Sequence, residues 1–146
     1  MKMHYQYNLS RKLKLLSALV ILFCCSCTNI KQEPDKTNAQ LVRLTVYWKT
    51  EDKWTARGKT ATGKPLQSYK TIAADPRDFP YHSNISIPEL NIKGIVHDTG
   101  SALKTRKAAR KLGKDVPVLD LYIQNKKEAL AFAKKAPMFV TVICEQ

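Results

Sequence analysis

Cysteine is scarce where a stapled fold would need it. Of the four cysteines, Cys24, Cys25 and Cys27 bunch together and only Cys144 lies elsewhere, which excludes a disulfide framework spread through the fold. Long hydrophobic runs are missing too: the apolar stretch from Leu15 to Cys25 falls short of the roughly 20 residues a helix needs to cross a bilayer. Histidine is limited to three residues, with none spaced to act as base for a serine nucleophile. Three aspartates and His97 could be imagined as a metal site, but no tight ligand spacing supports one. There is no internal repeat. Acidic residues are outnumbered, 12 against 25 lysines and arginines, for a net charge of +13.

What is present begins with an export signal. Met1 to Lys14 carries Lys2, Arg11, Lys12 and Lys14 and no acid, the apolar run follows, and Ser26 is a small residue at a cleavage position. The cysteine cluster resembles a bacterial lipoprotein signal over residues 1–26, with Cys27 as the lipidated residue and Cys25 as the alternative acceptor. Removing the signal takes away four basic residues and lowers the charge from +13 to +9. Such a surface suits polyanions. The export signal argues against nucleic acid, and no aromatic residues interleave with the basic run as a single-strand platform requires. The expected setting is the cell envelope: a membrane-anchored lipoprotein facing the periplasm, on the outer membrane.

Residues 27–40 are polar, without apolar period, and read as a flexible tether. From 41 onward the pattern is short strands. Val42, Leu44, Val46 and Trp48 share one face at period two. "KTIAADP", "NISIPEL", "KGIVHDTG", Val118 to Ile123 and "MFVTVIC" supply further strands, the last apolar enough to be buried on both faces. Asn125 to Ala136 is the stronger helix, capped by Asn125, with Glu128 three residues on and Pro137 at its end. Ala102 to Leu112 is the weaker, stopped by Gly113. Six short strands and one sure helix predict a compact, mainly β barrel. Cys144 is expected to be a buried small hydrophobe.

The residues that stand out are aspartates in strand-like pieces, where a carboxylate is costly. Asp75–Pro76 and Asp98–Thr99–Gly100 are both sequences that begin turns. Asp120 sits mid-strand and has no such reason to be there. Alternation sends His97 and Asp98 to opposite faces, so they form no dyad. His82 belongs to a solvated loop. Of Tyr47 and Trp48, Trp48 is expected in the core and Tyr47 toward a cleft. Gly100 is expected to supply a positive φ after Asp98.

"TVYW", "GKTATGKP", "IAADP", "VHDTGSALK", "LDLY" and "KEALAFAKKAPMFVTV", in this order from Leu44 to Ile143, resemble the three-aspartate (3D) domain family of bacterial cell-wall proteins. That family is related to the barrel of membrane-bound lytic transglycosylase A and to stationary-phase survival proteins. The resemblance implies a six-stranded double-psi β-barrel over residues 41–146, with Asp75, Asp98 and Asp120 meeting in one cleft. It implies cleavage of peptidoglycan glycan strands between N-acetylmuramic acid and N-acetylglucosamine, giving a 1,6-anhydro product without a cofactor or metal, with Asp120 as acid/base. Tyr47, Thr99, Gly100 and Ser101 would then contact substrate. An acid needs a raised pKa for that task, and burial beside other carboxylates raises it.

Where the family passes almost at once from "DTG-x-A-I-K-G" to its next aspartate, this chain inserts "KTRKAARKLGKDVP", with Thr105 replacing the glycine. One expectation is a solvated helical excursion on the barrel rim. The sharper one places Lys104 and its basic neighbours over the cleft, against muramyl and stem-peptide carboxylates; cations there would lower the pKa of Asp120 and weaken it as an acid. The competing reading is therefore a non-catalytic barrel that binds glycan or a partner protein.

Overall fold

The computed structural model describes residues 38–53 and 55–145; the signal, Cys27 and most of the tether lie outside the described residues. Six strands close into a barrel: β1 Ala39–Tyr47, β2 Thr71–Ala73, β3 Asn84–Ile87, β4 Ile92–Asp98, β5 Val118–Tyr122 and β6 Phe139–Glu145. Their order around the barrel is β1-β5-β2-β4-β3-β6. β1 runs parallel to β5 and β2 parallel to β4, while the other neighbours are antiparallel. Parallel partners cannot be joined by a tight hairpin: β2 returns to β4 through residues 74–91, and β1 and β5 are separated by residues 48–117. Closure leaves no sheet edge unpaired.

The alternation read from β1 holds. Val42 and Leu44 point into the barrel and join Ile72, Ile85, Val96, Leu119, Leu121, Val140 and Val142 in its core. Val46 and Trp48 pack against this core, half-buried. Each fully buried aliphatic side chain contributes roughly 1.5–3 kcal/mol. A second apolar cluster, made of Tyr47, Ala73, Val118 and Tyr122 with Leu103 and Ala109, lies on the opposite face of the same strands. β5 is thus covered on both sides, which is why its apolar run is interrupted only by Asp120.

β6 is buried on one face only. Val140 and Val142 are buried and Thr141 is exposed; on the outer side the cations of Arg43 and Lys114 lie over Phe139 and the Thr141 N–H donates to Glu89 Oε1 at 3.1 Å. Cys144 is half-buried and unpaired, not fully enclosed.

The C-terminal helix forms where expected. It spans Lys126–Lys135, and the Asn125 side chain accepts hydrogen bonds from the backbone N–H groups of Lys127 and Glu128. Ala129 plugs into the barrel core, and Tyr69 packs edge-on to Phe132 at 5.9 Å while donating to Glu128 Oε1 at 2.9 Å.

The insertion is not one helix from Ala102 to Leu112 but two single turns, α1 Ser101–Lys104 and α2 Lys107–Arg110. They are split by Arg106, whose φ of +51° is left-handed. The Arg106 guanidinium donates to Asp78 Oδ1 at 2.9 Å and to the Asp115 carbonyl at 3.2 Å, tying down the break. With basic residues around most of its circumference the segment has no apolar stripe. Leu103 and Ala109 are buried in the second cluster, with Ala108 and Val116 half-buried against it.

One glycine is set by close approach. A Cβ on Gly94 would stand 2.7 Å from Ile72 Cδ1 and 2.7 Å from the Lys70 carbonyl oxygen. Backbone cannot give way there as a flexible side chain could, so Gly94→Ala is expected to cost roughly 1–3 kcal/mol. Equilibrium urea unfolding checks this; a loss under about 0.5 kcal/mol would mean that β2 and β4 can part to admit the methyl group.

Candidate functional site

The site forms on the outer wall of the barrel. In β5 the inward residues are Leu119 and Leu121, so Val118, Asp120 and Tyr122 face out. Parallel pairing with β1 sets Asp120 opposite Thr45 and Tyr122 opposite Tyr47, and antiparallel pairing with β2 sets Asp120 opposite Ala73.

Asp98 reaches the same face through a bulge. The β2–β4 register shifts between Ile72 and Ala73, so Ile72 pairs with Val96 but Ala73 pairs with Asp98, and His97 is the extra residue. Bulges re-aim side chains. Without this one, strict alternation would turn Asp98 inward with Val96. Asp98 and Asp120 therefore flank Ala73 from either side, their backbones about 10 Å apart across two strand spacings. Alanine between them leaves the space open.

The cleft has a volume of about 800 Å³. Its walls are Tyr47 and the loop from Glu51 to Gly63 on one side and residues 98–103 on the other, with Ala73 and Asp120 beneath. Asp98 is held by three donors: Ala61 N–H at 3.0 Å and Thr99 N–H at 2.9 Å to Oδ1, and the Tyr47 hydroxyl at 3.1 Å to Oδ2. Burial, reinforced by the neighbouring Asp98 charge, pushes the Tyr47 hydroxyl far above its ordinary pKa and keeps it a donor. Its ring packs against Tyr122 at 5.3 Å.

Asp120 is held differently. Its Oδ1 is buried and has no hydrogen-bond partner among the described residues. Burial pushes its pKa up to about 7; the Thr45 hydroxyl opposes the rise, while the carboxylates of Glu51 and Asp98 add to it. Burial likewise raises Glu51. Thr99 Oγ1 is a second buried cleft atom without a partner among the described residues. One carboxyl that still carries its proton on half of the molecules at about pH 7, beside a second one oriented by donors, makes a site able to hand a proton to a bound polar group.

Of the residues singled out from sequence, Tyr47, Asp98, Thr99, Gly100, Ser101 and Asp120 come together here. Asp75 does not line the cleft. It is buried, and its carboxylate accepts two hydrogen bonds from Arg77 Nε, one from Arg77 Nη2 at 2.6 Å and one from Arg77 N–H at 3.0 Å. These bonds, with Lys104 adding its charge, hold its pKa below the usual carboxylate range. Asp75 begins a turn, as Asp-Pro sequences do. Lys104 does not line the cleft either; its carbonyl accepts from Arg77 Nη2 at 3.2 Å. Gly100 has φ −162°, extended backbone open to any residue, so the expected positive φ is absent.

The cleft cations are Arg57 and Lys59, which sequence reading passed over. They lie in a turn-rich stretch with no period to show which side chains face inward. "GKTATGKP" was a usable signal: it holds Lys59, Thr60 and Ala61, whose backbone N–H grips Asp98. The bulge leaves both His97 and Asp98 on the outside of the barrel, where His97 lines a different hollow, so the expected placement on opposite faces does not hold although the two form no dyad. His97 meets His82 edge-on at 5.1 Å and the Thr62 hydroxyl at 3.3 Å.

Among the described residues no group of three or more His, Cys, Asp or Glu side chains is placed to hold a metal ion. Compared with protein-family models and with curated proteins, the chain matches none. Fold and site together define a closed β-barrel with a carboxylate cleft on its outer wall.

Proposed function

We propose that this barrel is a 3D-type envelope domain that cleaves peptidoglycan glycan strands as a lytic transglycosylase, with Asp120 as acid/base. The observation that carries the reading is a mid-strand carboxyl, half protonated near about pH 7, that lines a sugar-sized cleft and has one buried oxygen without a partner among the described residues. Asp120 would donate its proton to the glycosidic oxygen as the C1–O bond breaks. The C6 hydroxyl of the same sugar then closes on C1, and its proton returns to the Asp120 carboxylate. The 1,6-anhydro ring forms, no water is consumed, and no second carboxylate is needed as nucleophile.

The basic insertion does not stand against this. Arg106 and Arg110 pair with Asp78 and Asp115, Lys104 acts on Asp75, and no side chain from 104 to 114 lines the cleft. Asp98 would orient the site and Tyr47 hold Asp98. The same reading keeps the exported, Cys27-anchored placement.

Incubating the purified protein with sacculi and analysing products by mass spectrometry tests the proposal. Anhydro-muropeptides should accumulate with wild type and fall with Asp120→Asn. Sacculus binding without any such product would instead favour the non-catalytic, glycan-binding barrel.

A further inference from the structure

We propose that a second hollow beside the cleft binds an acidic peptide arm of the same ligand whose sugar occupies the cleft. This deepens the glycan reading and rests on it. The hollow, about 470 Å³, lies on the outer faces of β2, β3 and β4. That volume is within the range of sites for small ligands.

The two hollows are separated by one thin strip of chain. Gly63 and Asp98 line the cleft, while their sequence neighbours Lys64 and His97 line the groove. The strip is pinned: Thr62 N–H donates to the His97 carbonyl at 3.1 Å, and Ala61 N–H donates to Asp98. A ligand leaving the cleft over this strip enters the groove directly.

The charges of the two hollows differ. The cleft mixes Arg57 and Lys59 with Glu51, Asp52, Asp98 and Asp120, and so holds no excess of positive charge. The groove carries Lys64, Lys70 and Lys93, all exposed, against the single acid Glu145. Burial keeps His97 below its ordinary pKa, with His82 and Lys64 adding to that, so it offers hydrogen bonds and no charge near neutral pH. An anionic segment is drawn to the groove, and a neutral sugar is left to the cleft. The rest of the groove suits a peptide over a phosphate polymer: Pro65 and Ile95 offer apolar contact, and the Gln67 and Asn84 amides can pair with peptide groups.

The test is an NMR titration of the protein with Ala-Glu-Ala-Ala and its glutamine counterpart Ala-Gln-Ala-Ala, with a peptide-free disaccharide run separately. The acidic peptide should shift the backbone amides of Asn84 and Ile95 and bind roughly tenfold tighter than the glutamine peptide. That preference should vanish at about 0.5 M salt and in Lys70→Ala/Lys93→Ala. Both lysines are exposed, and thermal melting shows whether the double variant stays folded; Ile95→Ser is a second variant that removes apolar contact without touching charge. Equal affinity for the two peptides, or shifts confined to other surfaces, overturns the proposal. If the disaccharide leaves Ala61 and Thr99 unmoved while the acidic peptide still binds, the glycan reading falls and the groove stands as a peptide site.

Discussion

Replacing Asp120 by asparagine is expected to stop the proposed glycan cleavage and, above about pH 7, to make the protein more stable. The two effects share one cause. In the unfolded chain Asp120 releases its proton near 3.8, and in the folded protein near 7. Between those values the folded state holds a proton that the unfolded state has lost, so stability falls as pH rises from about 4 to about 7 and stays low above it. Charging this one buried group costs on the order of 4 kcal/mol. Asparagine carries no charge at any pH, so the decline should largely disappear. Some of the gain is offset, because the buried amide still lacks a partner.

On activity, loss of a general acid costs about 10²–10⁴-fold. The wild-type rate should also fall about tenfold per pH unit above the folded pKa, as the protonated form disappears. Urea unfolding at about pH 4.5, 6 and 8 together with anhydro-muropeptide release provides both readouts. A variant retaining more than about a tenth of wild-type cleavage removes Asp120 from the acid role. A variant whose stability declines over the same window as wild type shows that the carboxyl was never held neutral.

Asp75→Ala is expected to act in the opposite way, on stability and little on chemistry. It removes the side-chain hydrogen bonds between Asp75 and Arg77, so the 75–78 turn loses its internal acceptor. Hydrogen bonds to charged groups contribute about 1.5–3 kcal/mol, and Arg77 is exposed enough to be resolvated. A loss of roughly 2–3 kcal/mol follows. The pH sign is also reversed. The folded pKa of Asp75 lies below its unfolded value, so its contribution is present above about pH 4 and disappears as pH falls through the folded pKa. The two aspartates thus act oppositely: Asp75 stabilises the fold above about pH 4, and Asp120 destabilises it increasingly as pH rises towards about 7. Cleavage per folded molecule should change less than about threefold, because Asp75 lies outside the cleft. A hundredfold loss in fully folded Asp75→Ala protein would return this residue to the reacting centre.

The pH experiments also separate the two roles without any substrate. A carboxyl that titrates near 7 and one that titrates below 4 give stability slopes of opposite sign in different windows, readable from one unfolding series.

Much of the barrel was legible along the chain because strand alternation is local. Val42 and Leu44 mark the inner face of β1, and Asn125 and Pro137 bound the last helix, each by its own side-chain chemistry. Asp120 stood out for the same reason: no turn explains a carboxylate between Leu119 and Leu121, and alternation already sets it opposite to them. The α1–α2 break was not legible. Arg106 gives no local sign of left-handed backbone; its partners Asp78 and Asp115 come from elsewhere in the chain. Asp75 was legible as a turn residue, yet whether its carboxylate faced the cleft or Arg77 depended on how the 75–78 turn packs beneath the insertion.

From its sequence alone this protein's β class, its six strand positions and the out-of-place carboxylate of Asp120 follow, because alternation and turn chemistry act over a few residues. Only the tertiary structure decided that the cleft lies outside the barrel, that a bulge at His97 turns Asp98 toward Asp120, and that Arg57 and Lys59 replace the inserted lysines at its rim. Those outcomes depend on cross-strand register and on ion pairs between distant segments, and no local pattern encodes either.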